Sequence, residues 1–462
     1  MTPPVYDTVI RNGVLGDSLG HAEGDIAIVN GRIAATGLNL PEGNKEIDAR
    51  GRIVLPGGVD THCHIEQISG AGVMNADTFE TATRSALHGG TTTTVSFAAQ
   101  HPGMRIRDVL ADYSKLAAAG AMTDYAFHMI VADTSGENVS DLKTAIADGH
   151  RSIKIFTTYD KVRLQDSEIL TTLRTARDAG ALVCVHAEND AMIRDATATL
   201  LAEGKTAARY HAQSHPRLAE IEAIERMCRF SEFTGARVMI FHISTKEGVE
   251  IVRKAKARGA NIHAETCTHY LFQTEEILDR PDSAKFLCSP PQRQKEDQDA
   301  LWAALGQELE LVTSDHAPYR MDESGKFRHG PDAPFPKIAN GQPGLELRLP
   351  LLFDAMVSNG RGGLAKFVEL TAASPARIFG LKTKGSFGIG KDADLVIWDP
   401  ERKHKLPNAL HDNVGYNPFA GETLKGYPEK VLRRGEIVVD NGELLTRPGT
   451  GQHLNMTACS DQ

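Results

Sequence analysis

GGVDTHCH (residues 57–64) is a short apolar run that ends on two histidines one residue apart, and RVMIFH (237–242) repeats the pattern with a single histidine. Six further runs share this texture: TTTTVSFAA (91–99), DYAFHMIV (124–131), SIKIFTT (152–158), ALVCVH (181–186), ANIHAE (260–265) and ELELVTSD (308–315). Helical patterns such as DTFETATRSALHGG and KEGVEIVRKAKARGA separate them. Eight strand–helix units is the count of an α/β chain folded as a (β/α)8 TIM barrel. The competing architecture, an open doubly wound sheet, finds no support from a Gly-x-Gly-x-x-Gly turn.

Residues 1–57 read differently, as short strands broken by Asn-Gly and Gly-rich turns, and the stretch from 386 to 462 repeats that texture in ADLVIWD and KVLRRGEIVVDNGELL. The expectation is a small β-sandwich domain built from both chain ends (1–57 and 386–462, the latter with a tail), and a barrel over 58–385. A chain of 462 residues is long enough for one large core and a smaller one.

The net charge is -9, with signs mixed and no run of five or six Lys or Arg. That disfavours nucleic acid and membrane as partners and leaves a small molecule. Six scattered cysteines without C-x-x-C spacing argue against a disulfide framework and a zinc ribbon, and suit a reducing cytoplasm. MTPPVYDTVI lacks the features of an export signal, and no apolar run of about 18 residues occurs. A soluble, unexported protein is expected.

His62 and His64, at i and i+2, point to one face of a strand and can chelate, while Cys63 points to the other. Satisfied core or surface histidines fit the tripeptide equally well. His186, His242 and Asp315 each close an apolar strand, where a rim hydrogen bond or helix cap is the plainer reading of each alone. Together, at one end of one barrel, these nitrogen and oxygen donors suit zinc, with manganese, cobalt or iron as less specific fits.

Lys154 lies inside an apolar strand, where an ammonium is costly to bury. A distant acid is one explanation. The other is that a buried amine of lowered pKa reacts with carbon dioxide to give an anionic carbamate, which can bridge two cations. Two divalent ions sharing a hydroxide then make hydrolysis the reaction class, since coordination lowers the pKa of water from about 15.7 to about 7.

LPGGVDTHCH, SIKIFTTYD, VCVHAEN, FHIS, SPPQR, TSDHAPY and NGQPGLELRLPLLF occur in this order over nearly the whole chain. Together they resemble the cyclic amidohydrolases, in particular the dihydropyrimidinase and D-hydantoinase branch of the amidohydrolase superfamily. The resemblance implies one zinc on His62, His64 and Asp315, a second on His186 and His242, and a carboxylated Lys154 bridging both. It implies that Tyr159 hydrogen-bonds the developing oxyanion, and that Ser289 and Asn340 grip the ring amide and its neighbouring carbonyl. A core tyrosine and simple Pro/Gly turns are the plainer readings of these three. Asp315 would move the proton from the attacking hydroxide to the leaving nitrogen, and the product would be an N-carbamoyl amino acid. Homotetramers are usual in this family.

Dihydroorotases commonly carry an arginine where Glu66 stands, which disfavours their substrate. Allantoinases and L-hydantoinases generally lack the tyrosine that Tyr159 supplies, and the dihydropyrimidinase-like scaffold proteins lack a complete ligand set. A cyclic imide hydrolase remains a neighbouring reading. Ile65 and Phe156 keep the apolar character of the loops that shape the ring-substituent pocket, whereas Arg163 does not, so that Arg163 is either a polar gate or a solvated side chain. Among the other histidines, His128, His263 and His316 fit supporting or core roles, and His88 fits a helix end.

Overall fold

A computed structural model describes residues 6–69 and 72–458. Residues 1–5, Cys459 and the last three positions lie outside the described residues, as do Gly70 and Ala71 of the loop after the first barrel strand. The other five cysteines are buried and unpaired.

Five strands precede the barrel: β1 (Tyr6–Asp17), β2 (Gly20–Val29), β3 (Arg32–Gly37), β4 (Gly43–Asp48) and β5 (Ile53–Pro56). The barrel strands are β6 (Gly58–Cys63), β7 (Thr91–Ala99), β8 (Asp124–Ile130), β9 (Ser152–Phe156), β10 (Leu182–His186), β11 (Val238–Ile240), β12 (Ile262–Cys267) and β13 (Leu311–Thr313). Four more follow: β14 (Leu395–Lys405), β15 (Thr423–Arg433), β16 (Glu436–Asp440) and β17 (Glu443–Leu444).

β6 to β13 pair in chain order, each parallel to the next. An open doubly wound sheet would reverse its strand order at a switch point, and this one does not. β13 returns to β6 through a parallel bridge between Cys63 and His316 and a 2.7 Å bond from His64 N to His316 O. Every residue of β6 to β11 is buried. That suits strands covered outside by helices and filled inside by side chains. Val95, Phe97, Ala126, Cys184, Met239 and Phe241 pack in the interior, and Phe379, Leu381 and Met456 join the same cluster. β11 and β13 are shorter than their apolar runs, because the backbone turns into left-handed conformation at His242 (φ 42°) and Asp315 (φ 43°), just beyond their ends.

The remaining strands form one mixed sheet in the order β17-β16-β15-β14-β5-β1-β2-β3, with β4 on β1. β1 is shared: its first half pairs with β4 and its second with β5, on either side of a bulge between Ile10 and Gly13. Antiparallel pairing of β5 with β14 joins the two chain ends. Ile10, Ile26 and Val54 from one end pack with Leu395, Ile397 and Leu432 from the other. The β2–β3 and β16–β17 hairpins turn on Asn30-Gly31 and Asn441-Gly442, both residues of each pair having positive φ, as tight hairpins require. Lys384 binds Asp124 at the start of β8 (2.6 Å) and Asp394 just before β14 (2.8 Å), a buried link between barrel and sheet. The tail packs on its own chain, with Leu454 N donating to Tyr125 O and Met456 N to Gly149 O.

Candidate active site and metal centre

The strand register sets the site. Lys154 on β9 pairs with Cys184 on β10, so His186, two residues on, faces the same interior one step nearer the strand ends, level with Phe156. On β6 the same alternation turns His62 inward and Cys63 outward, where its thiol meets Val95 O and the outer core. All six expected ligand residues line one cavity of about 450 Å³ at the C-terminal ends of the strands, and so do Tyr159, Ser289 and Asn340. A cavity of about 690 Å³ elsewhere, lined by Arg237, His263, Glu310 and Lys382 among others, takes none of them.

Asp315 Oδ1 lies 3.1 Å from His62 Nε2 and 3.3 Å from His64 Nε2. Two ligands on a tetrahedral ion with bonds of roughly 2.0–2.1 Å stand about 3.3 Å apart, so this donor set fits a divalent cation. Burial alone would raise the Asp315 carboxyl, but His62 and His64 hold it well below the usual carboxylate range. The His186 and His242 rings lie 4.4 Å apart, and His242 Nδ1 is buried without a hydrogen-bond partner. Such an orphaned donor calls for a ligand.

Lys154 Nζ packs against aromatic faces, Phe241 at 4.1 Å, Phe156 at 4.9 Å and Phe97 at 5.6 Å. No acid lies within ion-pair distance of it among the described residues, and Asp315 and Glu265 act on the amine only from further off. Burial lowers the amine to about 8, against the pull of Asp315. An amine near 8 is partly neutral at physiological pH, the form that reacts with carbon dioxide.

Tyr159 has φ 71°, so three cavity residues, Tyr159, His242 and Asp315, sit in left-handed conformations that non-glycine residues avoid. Each costs on the order of 1–3 kcal/mol, which the surrounding fold must hold. Burial, and then the Glu188 charge, raise the Tyr159 phenol, and the neighbouring Ser289 and Asn340 side chains oppose the shift. The three expected substrate contacts are therefore mutual neighbours.

Several neighbours of these residues carry no signal in the ligand pattern. Glu265, the last residue of ANIHAE, places Oε1 2.5 Å from His62 Nδ1, and Gln67 Oε1 lies 2.7 Å from His64 Nδ1. Glu188 receives His186, His215 and Ser289. Burial would raise its carboxyl, but His215 and His186 hold it well below the usual range. The alternation that made His62 and His64 partners could have pointed to Glu188, two residues after His186. His215 and Ser289 are remote in sequence, and only folding reveals them.

One expectation about the substituent pocket is corrected, and the alternatives for Arg163 are narrowed. Ile65 packs in the outer core, because it continues the outward parity of Cys63, and Arg163 turns to Asp190 (3.0 Å) instead of lining the cavity. Phe156 does line it, together with Val162. Glu66 accepts a 3.0 Å bond from Phe79 N at the start of the helix Phe79–His88. His128 bonds Ser152 and Thr61 O inside the barrel, His263 pairs with Glu310, His316 with Asp77, and His88 stacks on His411.

A closed parallel barrel with its polar residues gathered at the C-terminal strand ends is the architecture of a barrel enzyme. The chain belongs to the amidohydrolase family, which residues 53–438 match. A D-hydantoinase from Ralstonia pickettii is 39% identical over 454 residues, covering 97% of this chain and 98% of that protein. A D-phenylhydantoinase from Escherichia coli O1:K1 / APEC is 37% identical over 453 residues, covering 96% and 97%. Among solved structures, a dihydropyrimidinase from Brevibacillus agri NCHU1002 superposes with a TM-score of 0.95 at 34% identity, covering 98% of this chain and 100% of that one.

Proposed function

We propose that this enzyme opens cyclic amides, 5,6-dihydropyrimidines such as dihydrouracil or 5-substituted hydantoins, to N-carbamoyl amino acids. The observation that carries the reading is the convergence of Asp315, His62 and His64 with Tyr159, Ser289 and Asn340 in one cavity of a chain 39% identical to a D-hydantoinase over nearly its full length.

In this reading His62, His64 and Asp315 would hold one divalent ion and His186 and His242 a second, and Lys154, once carboxylated by carbon dioxide, would supply a shared anionic ligand; zinc suits the donors best, and manganese also fits. Such ions would supply a water nucleophile at neutral pH and polarise the scissile carbonyl. The chain's own groups do the rest. Asp315 takes a proton from the attacking water and returns it to the ring nitrogen as the carbon–nitrogen bond breaks, so that water adds across the amide. The Tyr159 hydroxyl donates to the carbonyl oxygen as negative charge develops on it. Ser289 and Asn340 orient the ring, largely through main-chain groups. The domain limits 1–57, 58–385 and 386–462, a homotetrameric assembly and a cytoplasmic setting belong to the same proposal; no helix is long and apolar enough to cross a membrane among the described residues.

Asp190 and Arg194 line the cavity and are paired with each other, which favours a second reading, an allantoinase or cyclic imide hydrolase acting on a more polar ring. The deciding experiment combines metal analysis with turnover of dihydrouracil, hydantoin, phenylhydantoin, allantoin and succinimide. About two metals per chain with opening of dihydrouracil or hydantoin supports the main reading. Turnover of allantoin or succinimide alone selects the second, and no metal with no turnover leaves a scaffold protein.

A further inference from the structure

Glu188 is fully buried, and its two oxygens accept from three donors that come from three parts of the chain. Oε2 takes His186 Nε2 at 2.8 Å and Ser289 Oγ at 2.6 Å, and Oε1 takes His215 Nδ1 at 2.9 Å. The backbone is held as well: the single Thr157 Oγ1 proton lies between His186 O (2.9 Å) and Glu188 O (2.8 Å), and Thr157 Oγ1 in turn accepts from Glu188 N (3.0 Å).

Two consequences follow from the identity of the donors. His186 must carry its proton on Nε2 to reach Glu188, so Nδ1 keeps the lone pair and is its ligand nitrogen. The Ser289 hydroxyl is committed to Glu188 and lies 3.3 Å from His215 Nδ1, so Ser289 offers a ring its main-chain groups. The preceding peptide is also fixed, since Cys288 O accepts from His211 Nε2 at 2.8 Å.

We propose that Glu188 is a positioning residue for both halves of the site, setting the ligand nitrogen of His186 and the orientation of the Ser289 wall, so that cation binding and substrate binding depend on one buried carboxylate. The substrate half rests on the cyclic-amide reading; the cation half does not. A glutamine at this position presents one acceptor and one donor, and cannot accept from all three partners.

The test uses the full-length protein and Glu188→Gln, with folding checked by circular dichroism and thermal melting. Apo-protein is titrated with Zn2+ against a chromophoric chelator, and kcat and KM are measured at saturating Zn2+ on the best cyclic amide. The expected result is Zn2+ affinity lower by roughly 10–100-fold and KM higher by several-fold, with kcat changed less than KM. Ser289→Ala should raise KM and leave Zn2+ affinity at the wild-type value. If Glu188→Gln keeps either the wild-type Zn2+ affinity or the wild-type KM, the proposal is overturned. Should that variant not fold, Glu188→Asp, which keeps the charge but withdraws the oxygens by one methylene, is held to the same two criteria. If the wild-type protein opens no cyclic amide, the functional reading fails by itself and the Zn2+ titration alone decides this one.

Discussion

His62 Nδ1 lies 2.5 Å from Glu265 Oε1, a contact that joins the first barrel strand to the seventh across the centre of the site. With the proton of His62 engaged by Glu265, its Nε2 is left as a lone-pair donor beside Asp315. Glu265→Gln should therefore weaken divalent-metal binding by roughly 10–100-fold. Chelator competition on apo-protein reads this directly, and an unchanged affinity would refute the role.

Lys154 makes the sharpest mutational statement. Its amine packs on the rings of Phe97, Phe156 and Phe241 and forms no ion pair among the described residues. Lys154→Ala should abolish activity and metal retention while the protein still folds, and a small added carboxylate such as acetate or propionate should restore part of both. Loss of melting temperature in place of metal would point to a packing role.

How much of this was legible before folding depends on the kind of signal. All eight barrel strands stood out because buried parallel strands are continuous apolar runs, and the strand ends carried the polar residues that converge. Glu188 and Glu265 were less visible: each is one more acid near a strand end, given meaning by remote partners, His215 and Ser289 for Glu188 and His62 for Glu265. Parity decides which residues face the substituent pocket. Ile65 follows Cys63 to the outside, whereas Val162, an unremarkable residue beside Arg163, faces in.

That difference is testable on substrates. Arg163→Leu should change the relative rates on dihydrouracil, hydantoin, phenylhydantoin and succinimide by less than about threefold, since Asp190 keeps Arg194 as a partner at 2.7 Å. Val162→Phe should disfavour phenylhydantoin against dihydrouracil by at least roughly tenfold, the scale on which added side-chain bulk in a pocket discriminates. The reverse ordering would place the gate at Arg163.

Tyr159→Phe removes a phenol that the structure sets beside Ser289 and Asn340. Loss of a single oxyanion donor costs on the order of 10²–10³ in kcat. KM should move little by comparison. A loss confined to KM would make Tyr159 a binding residue only.

Lys384 tests the joint between barrel and sheet. Facing Asp124, Asp392 and Asp394, its buried ammonium is held above its ordinary pKa despite burial, and Asp124 is held below its own. The raised lysine stabilises at pH below its unfolded value, and that contribution is lost as pH rises through the folded one. The depressed Asp124 contributes above about pH 4, and its contribution is lost as pH falls. Lys384→Met should thus cost roughly 3–5 kcal/mol near neutrality, by calorimetry or denaturant melts, with a smaller difference in acid. Equal losses at pH 3 and pH 7 would exclude the linkage.

The pairing of β5 with β14 also has a consequence for synthesis. β5 ends at Pro56 and its partner begins at Leu395, so roughly 340 residues must be translated before that edge is covered. At about 5–20 residues per second, the nascent N-terminal sheet waits roughly 17–70 s with an open strand. Open edges recruit other strands. The β5 edge is thus the part of the chain most exposed to mispairing during synthesis, until β14 arrives to cover it.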